Sequence, residues 1–259
     1  MLKVSPLFSG SKGNCTLIQS DNTNILLDAG FGYRGIVRAL ESRGLAPRDI
    51  DAIVITHEHG DHINALPMWT KYTPTPVYAP QLIADYMRQR VYFSEVSEIT
   101  GDFTVGDINI DVYECCHDAR CCYGYRFSCG DQYFACVTDT GCATDALVEF
   151  LSPCYAIMLE SNHDVELLSK GEYSYPLKRR ILSEYGHLSN AQATDVLCKL
   201  IGKQPKYIIL AHLSEKNNTH ELAFNATVEM YAAQALTEGK DVHVYVADQY
   251  KNDITICIK

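Results

Sequence analysis

Short apolar runs bounded by turn-forming residues recur along the chain and alternate with longer segments of helical spacing. Apolar runs of this length are typical of β-strands, and apolar residues at every third or fourth position are typical of amphipathic helices. The predicted strands are KVSPLF (3–8), CTLIQS (15–20), NILLDAG (24–30), IDAIVIT (50–56), INIDVYEC (108–115), YGYRFSC (123–129), QYFACVT (132–138), YAIMLE (155–160), YIILAH (207–212), DVHVYVA (241–247) and DITICI (253–258). The predicted helices are 35–44, 81–90, 143–151, 189–201 and 221–236.

The order of these elements predicts the fold class. Two β-rich halves, each with its own helices, indicate an α/β protein in which two sheets pack together with helices outside. The 259 residues contain no repeat and no Pro/Gly-rich linker, so we expect a single domain over residues 1–259. No apolar run is long enough to span a bilayer, and residues 1–10 do not have a signal peptide's apolar centre. We therefore expect a soluble cytoplasmic protein that does not bind a membrane.

Composition narrows the possible partners. The chain has 11 cysteines in no disulfide-scaffold spacing, which predicts free thiols in a reducing compartment. The formal charge of −10 argues against a broad, nonspecific nucleic-acid surface, which is normally basic. A polyanionic substrate is still compatible with this charge, because bound divalent cations and a few local basic residues can override the global sign near a site.

One segment, VITHEHGDHINAL (54–66), is unusually rich in metal-binding side chains. Three imidazoles and two carboxylates fall within six positions, and further His and Asp residues follow other predicted strands. Ligands placed just past buried strands can converge on one edge of a sheet. The residues at these predicted strand ends are Asp28, His57, His117, Asp139 and His212.

Imidazole and carboxylate are ligands for zinc, manganese or iron, and the spacing suits two metal positions. His57 and His59 can serve the first position, with His117 completing it. Asp61 and His62 can serve the second, with His212 completing it, and the two oxygens of Asp139 can bridge both ions. We expect two divalent ions, with Zn²⁺ as the first candidate and Mn²⁺ as the second.

The motif His57-Glu58-His59-Gly60-Asp61-His62 matches H-x-H-x-D-H, and the chain resembles the metallo-β-lactamase superfamily. Within it, the chain resembles the YycJ (WalJ) group. The shared motifs are SGSKGN (9–14), LLDAG (26–30), THEHGDH (56–62), HDA (117–119), TDTG (138–141), ESNHD (160–164), KRRILS…GHLSN (178–190) and AHLSEKNN (211–218). The resemblance implies a four-layer αβ/βα sandwich with the di-metal site on its edge, the ligand sets given above, and Asp28 orienting the histidines. The short segment between Asp139 and His187 leaves no room for the extra module that larger nucleases insert there.

The resemblance also implies an activity. The group is associated with 5′-to-3′ exonuclease action on DNA, so we expect a di-metal phosphodiesterase that acts on nucleic acid through a metal-bridging hydroxide. The alternative is a hydrolase of a small ester, thioester, lactone or cyclic phosphate. Asp61 is expected to accept a hydrogen bond from the attacking water. His187 is the candidate proton donor to the leaving group, with Glu160 and His163 as its expected neighbours.

Four residues are candidates for substrate binding, namely Ser11, Lys12, Arg179 and Lys216. The glycine-rich turn that holds Ser11 and Lys12 can face a phosphate, although it can equally be a plain turn between strands. The basic cluster around Arg179 can contact phosphate or form a solvated helix face. The cysteines around His117 are expected to be free thiols, because adjacent strand residues point to opposite faces.

Overall fold

The fold is built from two mixed sheets. The computed structural model describes residues 1–203, 205–251 and 253–258. The strands are β1 (Leu2–Phe8), β2 (Cys15–Gln19), β3 (Asn24–Leu27), β4 (Ala52–Val54), β5 (Val77–Pro80), β6 (Val96–Ile99), β7 (Phe103–Val105), β8 (Ile108–Glu114), β9 (Tyr123–Cys129), β10 (Gln132–Val137), β11 (Ala156–Glu160), β12 (Tyr207–Ala211), β13 (His243–Val246) and β14 (Ile256–Ile258).

Helices connect the strands, and most of them cover the outer faces of the two sheets. They are α1 (Tyr33–Glu41), α2 (Gly60–Ile63), α3 (Leu66–Tyr72), α4 (Gln81–Arg88), α5 (Asp145–Leu151), α6 (Val165–Lys170), α7 (Tyr175–Ile181), α8 (Asn190–Lys199) and α9 (His220–Ala233), with a 3₁₀ turn at Pro47–Asp49. The helix α8 begins with the capping box that its sequence indicates, formed by Ser189 and Gln192.

Within the described residues each sheet has seven strands, and their order explains the two-layer core. The first sheet runs β14-β1-β2-β3-β4-β5-β6 and the second β13-β12-β11-β10-β9-β8-β7. One core cluster contains side chains from both sheets, such as Ile25 and Phe127, and fills the space between them. A second packs α1, α3 and α4 on the first sheet, and a third packs α5, α8 and α9 on the second. These layers confirm the predicted αβ/βα sandwich.

The predicted elements are present but their ends differ. The segment 24–30 stops being a strand at Leu27, and the segment 253–258 forms a strand only over Ile256–Ile258. The pattern analysis missed short elements, namely α2, α3, α6, β5, β6 and β7, because three to seven residues carry too little periodicity to be recognised. No helix of the described residues is long and apolar enough to cross a membrane.

Candidate metal centre

The candidate side chains follow the carboxyl ends of strands that run in the same direction. In the first sheet β3 and β4 are parallel, and Asp28 and His57 lie just beyond them. In the second sheet β10, β11 and β12 are parallel. The strand β8 shares their direction because it is antiparallel to β9, which is antiparallel to β10. His117, Asp139 and His212 lie just beyond β8, β10 and β12. This common direction is what brings residues distant in sequence to one edge of the sandwich.

The backbone turns sharply at three of these positions. Asp28, Asp139 and His212 have φ values of 60°, 58° and 54°, in the left-handed region that side chains other than glycine rarely adopt. Backbone strain of this kind is retained when surrounding contacts impose it, and it clusters at functional sites. The backbone N–H of His212 donates to Ser9 Oγ at 2.9 Å, which fixes the turn after β12. Each of the three turns therefore directs a polar side chain to the same edge.

Three histidines form the first group of donor atoms. The ligand atoms of His57, His59 and His117 lie within 4.8 Å of one another. His117 Nδ1 lies 3.1 Å from the carbonyl oxygen of Gly186, so Nδ1 carries the proton and Nε2 faces the group. The Nε2 atoms of His57 and His117 are buried and have no hydrogen-bond partner among the described residues. Unpartnered buried imidazole nitrogens that face each other are suited to a metal ion.

A carboxylate and two histidines form the second group. The ligand atoms of Asp61, His62 and His212 also lie within 4.8 Å of one another. His62 Nδ1 lies 2.7 Å from Asp28 Oδ2, and Asp28 also accepts the backbone N–H of Thr56 at 2.9 Å. A carboxylate behind a metal-facing imidazole fixes its tautomer and makes Nε2 the donor toward the metal. Asp28 is thus in the position expected for a residue that orients the histidines.

Asp139 lies between the two groups. One of its oxygens is 3.3 Å from His62 Nε2, and the other is 3.7 Å from His117 Nε2 and 3.5 Å from His212 Nε2. Its Oδ2 atom is buried and has no hydrogen-bond partner among the described residues. A carboxylate in this position can bridge two cations, one held by each group.

The charges of the cluster fit divalent cations. Burial lowers the pKa of His62, but the carboxylates of Asp139 and Asp28 outweigh it and raise this pKa well above its usual value. Burial would raise the pKa of Asp139, yet the imidazoles of His212 and His62 hold it well below its usual value. The buried carboxylates thus favour positive charge among them, which protons supply when cations do not. The fold and this His/Asp cluster indicate divalent-metal binding.

Glu160 and His187 form a second layer of polar contacts. Glu160 is fully buried at the end of β11. Its Oε1 lies 2.8 Å from His187 Nδ1 and 3.0 Å from His212 Nδ1, and its Oε2 accepts two backbone N–H groups, those of Thr140 and Leu188. Burial opposes its charge, but His187 and these hydrogen bonds lower the pKa of Glu160 to about 2. Glu160 therefore lies behind two histidines as an anion.

The imidazole of His187 faces a cavity beside the metal cluster. Burial lowers the pKa of His187, but Glu160 and Asp139 outweigh it and raise the pKa above its usual value. The cavity has a volume of about 250 Å³ and is lined by cluster residues together with Ser11, Tyr173 and Arg180. A protonated Nε2 of His187 would face a substrate in this cavity.

The other residues selected from the sequence lie in varied places. Ser11 lines the cavity, whereas Lys12 points to Glu215 with 3.6 Å between Nζ and Oε2. Lys216 Nζ lies 3.9 Å from Glu172 Oε2. Arg179 and His163 do not line the cavity. Arg179 is exposed near the Tyr175 ring, and His163 is buried with neither ring nitrogen hydrogen-bonded within the described ranges. Lys12 and Lys216 do not line the cavity either, so direct roles for these four residues stay predictions that their positions do not support.

Sequence reasoning did not single out several residues that contact the cluster, among them Asn14, Asn162 and Thr56, whose Oγ1 lies 3.0 Å from His57 Nδ1. Asn14 Nδ2 lies 3.0 Å from His62 Nε2, and Asn162 Nδ2 donates to the carbonyl oxygen of His212 at 2.8 Å. Asn14 and Asn162 belong to the recognised motifs SGSKGN and ESNHD, in which charged and titratable residues such as Lys12 and Glu160 were selected as candidates instead. The four cysteines around His117 are free thiols, and Cys122 Sγ donates to the carbonyl oxygen of Asp139 at 3.6 Å.

The sandwich and the His/Asp cluster on its edge define a class, the metallo-β-lactamase fold. The model of the metallo-β-lactamase superfamily matches residues 9–119. YhfI of Bacillus subtilis, a metallo-β-lactamase-fold protein of known crystal structure, superposes with a TM-score of 0.76 at 16% identity over 98% of both chains.

Two relatives match nearly the whole chain. The exodeoxyribonuclease WalJ of Streptococcus pneumoniae serotype 2 is 36% identical over 94% of this chain and 93% of its own length. The exodeoxyribonuclease YycJ of Bacillus anthracis is 32% identical over 95% of this chain and 96% of its own length. The chain belongs to the YycJ (WalJ) group of the metallo-β-lactamase superfamily and is a hydrolase of that fold.

Proposed function

We propose that this hydrolase is a metal-dependent phosphodiesterase that removes nucleotides from the 5′ end of DNA. The observation that carries the proposal is the match over 94% of the chain to a protein named an exodeoxyribonuclease. The oxygen and nitrogen donors of the cluster suit phosphodiester chemistry, because hard carboxylate and imidazole ligands favour the divalent ions that act on phosphate oxygens. The alternative, a hydrolase of a small ester, thioester, lactone or cyclic phosphate, is not favoured.

The proposed ligands divide into two sets with Asp139 common to both. His57, His59 and His117 would hold the first ion, and Asp61, His62 and His212 the second. We take Zn²⁺ as the first candidate and Mn²⁺ as the second. When bound, such ions stabilise charge on phosphoryl oxygens and lower the pKa of water.

The side chains of the chain supply the remaining steps. The oxygen of a water molecule forms a bond to phosphorus while Asp61, whose side chain is 24% exposed, accepts a hydrogen bond from it, and the proton that this water loses goes to solvent. The bond between phosphorus and the 3′ oxygen of the terminal nucleotide breaks, and its electron pair goes to that oxygen. His187 Nε2 gives the oxygen a proton, while Glu160 holds Nδ1 of the same ring at 2.8 Å. The products are a 5′-nucleotide and a strand shortened by one residue.

The test uses single strands that differ at their 5′ ends. Protein loaded with Zn²⁺ or Mn²⁺ is incubated with oligodeoxynucleotides that carry a 5′-phosphate or a 5′-hydroxyl and a label at the 3′ end. Stepwise shortening from the 5′ end with release of mononucleotides is expected. Shortening from the 3′ end would refute the polarity. Hydrolysis of small esters with no attack on any strand would refute the phosphodiesterase proposal.

Three wider expectations accompany this proposal. We propose that residues 1–259 act as a single domain without an inserted nuclease module, since both relatives match over nearly their whole length. Nucleic acid is the proposed partner. The cytoplasmic location stays a prediction.

A further inference from the structure

A second and larger cavity lies outside the metal centre, between α1 and α3. It has a volume of about 780 Å³, about three times that of the metal-site cavity. We call it the α1–α3 groove. The lining residues that matter here are Phe31, Tyr33, Arg34, Arg38, Asn64 and Tyr72.

The α1–α3 groove adjoins the metal centre at two points. Asn64 follows the short helix α2, whose first turn contains Asp61, and residues three apart on a helix are neighbours. A Cβ atom added at Gly60 would lie 3.2 Å from Asn64 Oδ1, so this side chain covers the start of that helix. At the other point, a Cβ added at Gly30 would lie 1.6 Å from the carbonyl oxygen of Asp61, so the backbone before Phe31 is packed against that ligand. The groove therefore begins about one helical turn from Asp61, at the exposed residue Asn64.

The charge of the groove opposes that of the whole protein. The chain has 32 acidic and 22 basic residues, yet the described lining of the groove contains Arg34 and Arg38 and no carboxylate. Both arginines are exposed, and neither forms an ion pair within residues 1–203, 205–251 and 253–258. In contrast, Lys12 and Lys216 near the metal centre each have a carboxylate within 4.0 Å. The groove is therefore a place where the surface offers uncompensated positive charge to an anion.

Aromatic rings line the same groove, and other aromatic side chains pack against them. Tyr72 is 63% exposed, and its ring stacks on that of Tyr33 with 5.7 Å between centroids. Tyr33 in turn meets the edge of the buried Trp69 ring at 5.9 Å. Phe31 stacks on the buried Phe8 ring at 3.9 Å. Rings fixed in this way lose little conformational freedom when a planar ligand stacks on them.

We propose that the α1–α3 groove binds the single DNA strand whose 5′ end occupies the metal centre. Aromatic faces for bases, combined with arginines for phosphates, are the two elements by which proteins bind single strands without reading sequence. Duplex DNA would not suit the rings, because its bases are already stacked on one another. This inference rests on the proposed function, since it takes the occupant of the metal centre to be DNA.

The test measures binding and cleavage separately. Fluorescence anisotropy follows the binding of metal-loaded protein to a labelled phosphorothioate strand over a range of salt concentrations. The strand has about 20 thymidines, which is longer than the roughly 4–16 nucleotides of known single-strand sites. The double variant Arg34→Ala/Arg38→Ala should flatten the slope of log K against log salt by about 1.4, or about 0.7 for each lost phosphate contact. Tyr72→Ala should weaken binding about tenfold, a typical loss for one base–aromatic stack.

Matched controls separate stacking and charge from folding. Tyr72→Phe keeps the ring and should bind as the wild type does. Arg48→Ala and Tyr92→Ala change exposed residues outside the groove, with 87% and 63% exposure, and should have no effect on binding. Normal circular dichroism and melting temperature are required of each variant.

The outcomes distinguish the two proposals. If the Arg34→Ala/Arg38→Ala and Tyr72→Ala variants keep the affinity and salt slope of the wild type, the proposal that the groove binds DNA is overturned, even if the enzyme degrades DNA. Equal or tighter binding of a uridine ribonucleotide strand would overturn the assignment to DNA. Loss of binding in Arg48→Ala or Tyr92→Ala would overturn the assignment of binding to the groove. Tight, groove-dependent binding of DNA by a wild-type protein that cleaves none of the strands would refute the exonuclease proposal alone and support the groove.

Discussion

His187 Nδ1 lies 2.8 Å from Glu160 Oε1, and the same oxygen lies 3.0 Å from Nδ1 of His212. One buried carboxylate therefore orients both a cavity-facing imidazole and a candidate metal ligand. The first imidazole is available for proton transfer because Glu160 and Asp139 raise its pKa despite burial. The second presents Nε2 to the cluster. This shared contact couples the proposed general acid to the proposed metal centre.

The first prediction concerns that general acid. His187→Ala should keep the metal content and slow the cleavage of DNA by roughly a hundredfold or more, because an alkoxide leaving group needs a proton. A nitrophenyl phosphodiester should be slowed much less, since its leaving group departs without one. Both rates and the bound metal are measured, with His243→Ala as the control histidine, stacked on Tyr207 at 4.9 Å. Equal losses on the two substrates, or loss of a metal, would contradict the assigned role.

The second prediction concerns the residue that orients His62. Asp28→Asn should lower the affinity for the metal of the second group by about 10–100-fold, as removal of such outer contacts generally does. Asparagine suits this position because Asp28 has φ 60°, a conformation that asparagine tolerates. Titration with metal at fixed pH measures the effect. An unchanged affinity for both ions would show that the 2.7 Å contact to His62 does not tune the site.

The third prediction concerns Asp61. Asp61→Ala should reduce hydrolysis by at least about a hundredfold, on the scale of general acid–base contributions, and leave fewer ions bound per chain. The fold should persist, because it is the backbone oxygen of Asp61 that accepts from Asn14 N at 2.7 Å. Activity, metal analysis and melting temperature are compared with those of Asp131→Ala, a change at an exposed turn. Unfolding of the variant would make Asp61 a structural residue.

The fourth prediction concerns metal removal and pH. In the metal-free protein, burial lowers the pKa of His212, but Asp139, Asp61 and Glu160 outweigh it and raise the pKa to about 10. A histidine with a raised pKa stabilises the fold fully below its unfolded value of about 6.5, and this contribution is lost as the pH rises toward about 10. The melting temperature of chelated protein should therefore fall between about pH 7 and pH 10.

The same charges predict proton release on metal binding. Because His212 and His62 hold protons in the metal-free protein at neutral pH, a cation must displace them. Calorimetric titration in two buffers of different ionisation enthalpy should show protons released per metal bound, and affinity should rise with pH. Metal binding that is independent of buffer and pH would contradict this account of the cluster.

The sequence by itself determined most of the secondary-structure elements and the part of the site that lies in the single segment from His57 to His62. Strand and helix patterns depend on neighbouring residues, so the apolar runs predicted the elements and, from their order, the sandwich. The four donor residues from His57 to His62 are close in the chain and therefore stay close in any fold. The later donors, His117, Asp139 and His212, could be proposed from their strand-end positions and the family resemblance. The structure brings all seven candidate ligands together, and their role as ligands stays a prediction.

Only the tertiary structure decided which polar groups face each other. Glu160 is 27 and 52 residues from His187 and His212, the two histidines that it contacts. The parallel pairing of β11 with β12 brings His212 to it, and the loop before α8, whose Leu188 N–H donates to Glu160 Oε2, brings His187. The same holds for charge. The sequence does not show that Lys12 lies 3.6 Å from Glu215, nor that Arg34, which belongs to no recognised motif, lines a groove whose described residues include no carboxylate. Electrostatic interactions depend on distance in space, and that distance is set by packing between layers rather than by the order of residues.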